Sequence, residues 1–425
     1  MPPIRFIHAA DLHLDAAFSG LSRDIPADFA ERLRTATFTA FRRLLDLCER
    51  ESPDFLLLAG DVYNQEDASV SAQLALRDGF RRLESLSIPV FLVHGNHDPL
   101  ASRLRSVRWP GNVTVFGELP DAVPVFRKGE GTPLAIIHGA SHASGRETRN
   151  LAALFRRTEA CGLHVGLLHA TPGDADGVAR DAPFSQEDLK ASGMDYWALG
   201  HIHDRREVCR EPLAAYPGCT QGLHINEPGE KGCLLVTAEA RPDGGYAVRT
   251  SFRPLGPAVW KTLDMDLGGA ASLDELENRL RTGLDRAAAE VWSGCEMLLV
   301  RLRLQGRTEL DGLLRKGTTC AELADRLRED GSGVPRIWIK DIDVATRPCV
   351  ERGALLERED LLGEVFRLSE AARTASGLQA LREGPLAPLF AHARAGKALE
   401  PLTDEELARL LDDAESLCLD LLEND

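Results

Sequence analysis

Polar residues of metal-binding type stand directly after successive apolar runs in this chain, and that arrangement limits the folds open to it. IRFIHAA runs into Asp11-Leu12-His13, FLLLA into Gly60-Asp61, VFLVH into Gly95-Asn96-His97-Asp98, and the apolar stretch at 195–199 into Gly200-His201-Ile202-His203. Amphipathic helices are predicted between the first three runs, over about 28–51 and about 67–86. In the first, Phe29, Leu33, Ala36, Ala40, Leu44 and Leu47 recur at three- and four-residue steps, which keeps one face apolar for packing on a sheet. Strand, helix, strand, helix, strand is the βαβαβ order of an α/β fold. Further strands are predicted at 113–116, 134–138, 164–168 and 195–199, then near 206–209 and 232–237.

Residues just beyond the carboxyl ends of parallel strands line a common crevice, so motifs far apart in sequence are expected to converge. Asp61 follows Asp11 by 50 residues and Asn96 follows Asp61 by 35, each step being about one strand, helix and return. Carboxylate, imidazole and amide donors together suit manganese, iron or zinc better than thiophilic metals. Seven candidate ligands are too many for one ordinary site, and a carboxylate on a glycine-bounded turn, such as Asp61, can bridge two ions. Two ions can orient and activate a water while neutralising the oxygens of a scissile phosphoryl group. Gly60, Gly95 and Gly200 are expected at turns whose φ values other residues resist.

Past about residue 255 the pattern changes. WKTLDMDL, a helix over about 272–290, MLLVRLRL, a helix near 319–329 and IWIKDIDV read as a separate α/β domain over 256–350. From about 354 the chain reads as helical, and Thr403 with Glu406 has the capping-box spacing that starts the last helix. The expected division is 1–255, 256–350 and 351–425. At 425 residues and 44% hydrophobic content the chain has enough material for more than one core.

The net charge of −16 opposes a nucleic-acid substrate only superficially, because residues 400–425 carry ten acidic side chains against Arg409 alone. Cationic runs lie elsewhere, at Arg77, Arg81 and Arg82, at Arg103, Arg105 and Arg108, and at Arg205 and Arg206. Each reads equally as solvated surface or as a track for DNA. Nine scattered cysteines without a CxxC pair exclude a thiolate zinc site and a disulfide framework. With no long apolar run and no cationic, apolar, small-residue order at the N-terminus, a cytoplasmic location without membrane insertion is expected.

The ordered set DxH, GD, GNHD, an isolated His after an apolar strand and GHxH resembles the calcineurin-like metallophosphoesterases. ADLHL, LLLAGDVYN, VHGNHD, LLHATPGD, YWALGHIH and YPGCTQG resemble more specifically the Mre-eleven/SbcD DNA-repair nucleases, and most of all their shorter bacterial YhaO-type members, over roughly residues 4–255. The resemblance implies a four-layer α/β/β/α sandwich with a smaller α/β cap and a helical C-terminus. It implies two divalent ions, manganese foremost, one bound by Asp11, His13, Asp61 and His203 and the other by Asp61, Asn96, His169 and His201. His97 would then donate a proton to the leaving 3′ oxygen or stabilise the transition state, with Asp98 supporting it. Some members pair a second histidine with the GNH histidine, three residues after the bridging aspartate; here that position is Asn64, which bears on the orientation of His97. His8, His94, His138, His142, His164 and His224 are expected in packing, supporting or surface roles.

The resemblance further implies that 256–350 contacts DNA, that the terminal helices bind an SMC-like, SbcC-type ATPase, and that helices within 67–109 join a homodimer. Leu402, Leu407, Leu410, Leu411 and Leu417 offer the last helix an apolar face, which packing on its own domain would equally explain. The expected activity is manganese-dependent exonuclease or endonuclease action in double-strand-break repair. Two alternatives stand beside it: a phosphoesterase acting on a small nucleotide or a phosphoprotein, and a non-enzymatic scaffold for the ATPase.

Overall fold

β-branched and long aliphatic side chains make the first apolar run a buried strand, β1 (Ile4–Ala9), which leads into helices α1 (Ala27–Arg34) and α2 (Ala36–Glu51). There follow β2 (Phe55–Ala59), α3 (Val70–Ser85), β3 (Val90–Val93), β4 (Val113–Val115), β5 (Asp121–Val125), β6 (Ala135–Ala140) and β7 (Leu163–His169). Next come α4 (Gln186–Ala191), β8 (Tyr196–Gly200), β9 (Arg206–Arg210), β10 (Leu213–Tyr216), β11 (Gly232–Ala240) and β12 (Tyr246–Pro254). The computed structural model describes residues 2–21, 25–64, 69–101, 107–173, 180–242, 244–329, 333–349, 352–391 and 402–422.

These strands form two six-stranded sheets, in the orders β12-β11-β1-β2-β3-β4 and β5-β6-β7-β8-β10-β9. β1 to β4 run parallel in the first, and β6, β7, β8 and β10 run parallel in the second. Phe6, Phe55, Leu57, Phe91, Ile137, Val165 and Tyr196 fill the layer between the sheets. Leu44, Leu47, Leu76 and Phe80 cover the outer face of the first sheet, while Phe155, Leu189, Trp197 and Leu199 fill the outer layer of the second. The result is helix, sheet, sheet, helix. Four-layer packing is thus the fold, and the crevice at the strand ends belongs to two sheets rather than one.

The continuous helix predicted over 28–51 is two helices. Thr35 interrupts it at φ −98° and ψ 3°, with its hydroxyl bonded to the carbonyl oxygens of Glu31 and Arg32. The break sends the two halves to different cores. Phe29 and Leu33 pack with Trp260, Met297, Leu299 and Trp338, whereas Ala40, Phe41, Leu44 and Leu47 pack on the first sheet. Strands β5, β10 and β12 went unanticipated: β5 and β12 are edge strands with polar or proline residues, and β10 is four residues long.

Beyond β12 stand β13 (Ala258–Asp266), α5 (Leu273–Glu290), β14 (Met297–Thr308), α6 (Asp311–Leu314), α7 (Gly317–Glu329) and β15 (Arg336–Pro348), the strands forming a three-stranded sheet in that order. Helices α8 (Arg352–Leu356), α9 (Leu361–Ala372), α10 (Ala375–Glu383), α11 (Ala387–Ala391) and α12 (Asp404–Leu422) follow. The chain divides into two compact units, Met1–Leu263 with Arg281–Leu302 and Ala324–Ile342, and Asp264–Leu280 with Arg303–Leu323 and Asp343–Asp425. In the second unit the capping box forms: the Thr403 N–H donates to Glu406 Oε2 at 2.7 Å and the Glu406 N–H to Thr403 Oγ1 at 3.2 Å. Leu419 packs with Leu355, Leu362 and Phe366, and Arg352 holds the buried Glu415 carboxylate at 2.7 and 2.8 Å. Leu407 is buried, whereas Leu410 and Leu417 are exposed, so α12 has an inward and an outward apolar stripe. No helix among the described residues is long and apolar enough to cross a membrane.

Helices α2 and α3 approach closely at Gly79, where a Cβ would lie 2.7 Å from the Phe41 ring and 2.9 Å from Leu45. Helix propensity favours alanine there by about 1 kcal/mol, but overpacking costs about 1–3 kcal/mol. Gly79→Ala should therefore lower the urea midpoint; an increase would show that the two helices separate at little cost.

Candidate metal centre

The motif residues converge at the carboxyl ends of parallel strands from both sheets. Asp11 and His13 follow β1, Asp61 follows β2, and Asn96 to Asp98 follow β3. His169 ends β7, and His201 and His203 follow β8. Past its strand end the β1 segment stays paired with the β2 segment, through Asp11 N–H to Gly60 O at 3.1 Å and His13 N–H to Asp61 O at 3.0 Å. Asp11, His13, Asp61 and His201 all have positive φ, of 50°, 41°, 50° and 102°. Such backbone is costly for residues with a Cβ and here turns four side chains toward one point.

The glycines serve two different ends. Gly60 has φ +89°, as a turn residue should. Gly95 and Gly200 do not have positive φ; they are needed for space. A Cβ on Gly95 would lie 2.3 Å from Asp61 Oδ1, and one on Gly200 would lie 1.8 Å from the Ala59 carbonyl oxygen.

His169 donates from Nδ1 to Ala59 O at 2.8 Å, which points Nε2 inward, 3.3 Å from Asp61 Oδ2 and 3.0 Å from Asn96 Oδ1. His201 Nδ1 lies 3.1 Å from the same Asn96 oxygen and 3.2 Å from His169 Nε2. On the other side His13 donates from Nδ1 to Asn64 Oδ1 at 2.5 Å and His203 from Nδ1 to Glu227 Oε1 at 2.6 Å. Their Nε2 atoms then face each other at 3.1 Å. With both outer nitrogens acting as donors, a charged His203 places one proton between the two inner nitrogens, and a cation could take its place. An imidazole anchored through its far nitrogen is the usual support of a metal-binding histidine. Donor atoms of Asp11, His13 and His203, and likewise of Asp11, Asp61 and His169, lie within 4.8 Å of one another. The residues present therefore fit a divalent cation.

Electrostatics agree. Burial opposes charge on His169, yet the Asp61 and Asp11 carboxylates push its ring up to about 10. Burial would raise Asp61, but His169, His13 and His97 hold it well below the carboxylate range. Burial raises Asp11 and lowers His13. His203 is raised against its own burial by Glu227 and Asp11, and Glu227, despite burial, is held at about 2 by His203.

The remaining candidates divide. His97 is exposed beside this cluster, its N–H donating to Asp61 Oδ1 at 2.9 Å and its ring 5.2 Å from that of His13. Asp98 is buried and turned away: it accepts from the backbone N–H of Gly95 at 2.7 Å, Val62 at 3.0 Å and Asp61 at 3.3 Å, tying the β2 and β3 loops together. Asn64 orients His13. Arg108 is exposed, on a cavity with Tyr63, Gln73, His94 and Trp109, none of them a candidate ligand. Arg103 and Arg105 lie outside the described residues.

Among the other histidines, His8 joins the sheets through the Tyr196 hydroxyl and Leu199 O at 2.9 and 3.1 Å, and burial lowers it to about 3. His142 Nε2 donates to the His169 carbonyl at 2.6 Å. His138 and His164 bond each other at 3.0 Å. Sequence reasoning missed Glu227 and Lys231, whose ammonium binds His203 O at 3.0 Å and Asp204 Oδ1 at 3.1 Å. Neither stands in a motif; both reach the site because the turn before β11 returns over it.

Residues 4–205 match the calcineurin-like phosphoesterase family, and 260–347 match the middle domain of the metallophosphoesterase YhaO. The metallophosphoesterase YhaO of Bacillus subtilis is 34% identical over 388 residues, covering 90% of this chain and 91% of that one. The chain belongs to the YhaO family of calcineurin-like metallophosphoesterases. Two archaeal proteins named DNA double-strand break repair protein Mre11 are also similar. That of Aeropyrum pernix is 28% identical, covering 68% of this chain and 69% of its own, and that of Sulfurisphaera tokodaii is 26% identical, covering 48% and 50%.

Two outcomes follow for this YhaO-family centre. A cation bound at His169 would have to displace the proton that the carboxylates favour there up to about 10. Affinity should therefore rise with pH through neutrality, with proton release visible in calorimetry as a dependence on buffer ionisation enthalpy. No such dependence would remove His169 from the ligand set. Glu227→Ala should weaken divalent-cation binding by about 10- to 100-fold, and Glu227→Gln by less, since the amide oxygen still accepts from His203.

Proposed function

We propose that this chain hydrolyses phosphodiester bonds of DNA, using two divalent cations, manganese foremost. The observation that carries this reading is the meeting of seven donor side chains from both sheets beside the exposed His97. Asp11, His13, Asp61 and His203 would hold one ion, and Asp61, Asn96, His169 and His201 the other. In favour of this division, Asp61 Oδ2 lies between the two groups, 3.3 Å from His169 Nε2 and 4.0 Å from His13 Nε2. Two such ions supply charge neutralisation at the phosphoryl oxygens and a more acidic water.

His97 then acts where the leaving oxygen departs. Its backbone is held by Asp61, its ring is open to substrate, and it delivers a proton or a hydrogen bond to the developing charge. Asn64 is engaged with His13, so the position of His97 depends on the loop that Asp98 ties down. DNA as substrate is supported by likeness to the proteins named Mre11. Arg108 is a candidate contact.

The 256–350 segment is proposed to touch DNA as well. The terminal helices are proposed to bind an SbcC-type ATPase, and exposed Leu361, Leu368, Leu410, Leu417 and Leu421 in the second unit suit such a partner. A homodimer joined by α3 and its neighbours in a cytoplasmic location completes the reading.

The test is incubation with manganese and either linear duplex DNA or bis-p-nitrophenyl phosphate. Shortening or nicking of the DNA is expected. Hydrolysis of the small ester alone, with or without the ATPase, would shift the assignment to a small nucleotide or phosphoprotein substrate. His97→Ala should keep its bound metal by elemental analysis yet lose cleavage by about 100-fold or more. Asp61→Ala should lose metal; two ions per chain in that variant would contradict bridging.

A further inference from the structure

Arg205 and Arg206 differ from most arginines of this acidic chain. Arg5, Arg43, Arg82 and Arg127 each meet a carboxylate, whereas neither Arg205 nor Arg206 has an ion pair or side-chain hydrogen bond among the described residues. Instead their guanidinium carbons lie over aromatic rings, Arg205 at 4.0 Å from the Phe252 centroid and Arg206 at 5.6 Å from that of Tyr216. Stacking covers the face of a guanidinium and leaves its in-plane N–H edge open, the edge that grips phosphate oxygens in pairs.

Both side chains line a cavity of about 290 Å³ with Glu207, Tyr216, Leu234 and Phe252. Strand register puts this cavity at the same end of the sheets as the metal centre. β10 runs parallel to β8 with Ala215 opposite Ala198, and Arg206 starts β9 opposite Tyr216. On the other sheet Leu234 pairs with both His8 and Phe252. The Tyr216 hydroxyl donates to Ala170 O at 2.6 Å, next to His169, and Arg205 follows His203 by two residues.

We infer that Arg205 and Arg206 form an anion subsite that binds a backbone phosphate of the substrate strand beside the scissile bond. This rests on the DNA phosphodiesterase reading above. Glu207 in the lining offsets one of the two positive charges, so the subsite favours the singly charged phosphodiester over a doubly charged free phosphate. The arginines thereby supply local attraction that the net charge of −16 denies the chain as a whole.

Binding of a fluorescein-labelled single strand, followed by anisotropy in calcium across a range of salt concentrations, tests the inference. Arg205→Gln with Arg206→Gln should weaken binding about tenfold and flatten the slope of log affinity against log salt by about 0.7, the value for one lost phosphate on a single strand. Arg205→Lys with Arg206→Lys keeps the charge without the fork, so it should hold the slope while affinity falls less. Arg210→Gln, at the far end of β9, should change affinity less than twofold. An unchanged slope in the glutamine pair, or an equal loss in Arg210→Gln, overturns the subsite while leaving the nuclease reading in place. If inorganic phosphate competes with the strand in the parent but not in the glutamine pair, the site serves free phosphate and the inference is wrong. A parent chain that hydrolyses bis-p-nitrophenyl phosphate but binds no strand overturns the DNA reading, and the subsite falls with it.

Discussion

Both sheets meet at the carbonyl of Ala59. His169, at the end of β7, donates to that oxygen at 2.8 Å, and a Cβ on Gly200, at the end of β8, would lie 1.8 Å from it. One main-chain oxygen thus sets how closely the second sheet approaches the first. That closeness lets Asp11, Asp61 and Asn96 from one sheet share a point with His169, His201 and His203 from the other. The N–H of His201 closes the joint by donating to both oxygens of Asp11, at 3.2 and 3.1 Å.

Burying so many ionisable groups together is expensive unless each has a fixed partner. The structure meets this by anchoring outer atoms first. Asn64, Glu227 and Ala59 take the far nitrogens of three histidines, and Asp98 takes three backbone N–H groups under the loops. The opposite atoms of these histidines point inward, toward the carboxylates of Asp11 and Asp61. Backbone in the left-handed region at four of these residues is the conformational cost, stabilised by the cores above and below the two sheets. Preorganisation of this sort is what a site needs to act on a charged phosphoryl group without rearranging.

Surface charge follows a different logic. Arginines are mostly consumed in pairs with the abundant carboxylates, which makes the two that stack on aromatic rings without such a pair among the described residues informative. In the second unit the same pairing reaches inside, where Arg352 and Arg373 neutralise Glu415 between helices. On α12 Leu407 and Leu419 are buried while Leu410 and Leu417 are exposed, so the helix presents two stripes in place of one.

Most of the first sheet was legible in the sequence, because burial on both faces leaves unbroken aliphatic runs and helices leave a three- and four-residue period. Metal-type residues at the ends of those runs were legible for the same reason: a strand end is a local feature. The capping box of α12 was read correctly from two residues three apart. Only the tertiary structure decided the rest. Edge strands β5 and β12 lack the buried signature, and the break at Thr35 depends on a hydroxyl that finds the preceding turn. Asp98 stands beside His97 in sequence, yet one faces the loop backbone and the other solvent. Glu227 reaches His203 across 24 residues and Asn64 reaches His13 across 51, distances over which periodicity carries no information. The sequence by itself determined which side chains could bind a cation, through the positions that strands dictate. Their orientation came from two sheets packed close enough for a glycine and a histidine to contact the same carbonyl oxygen.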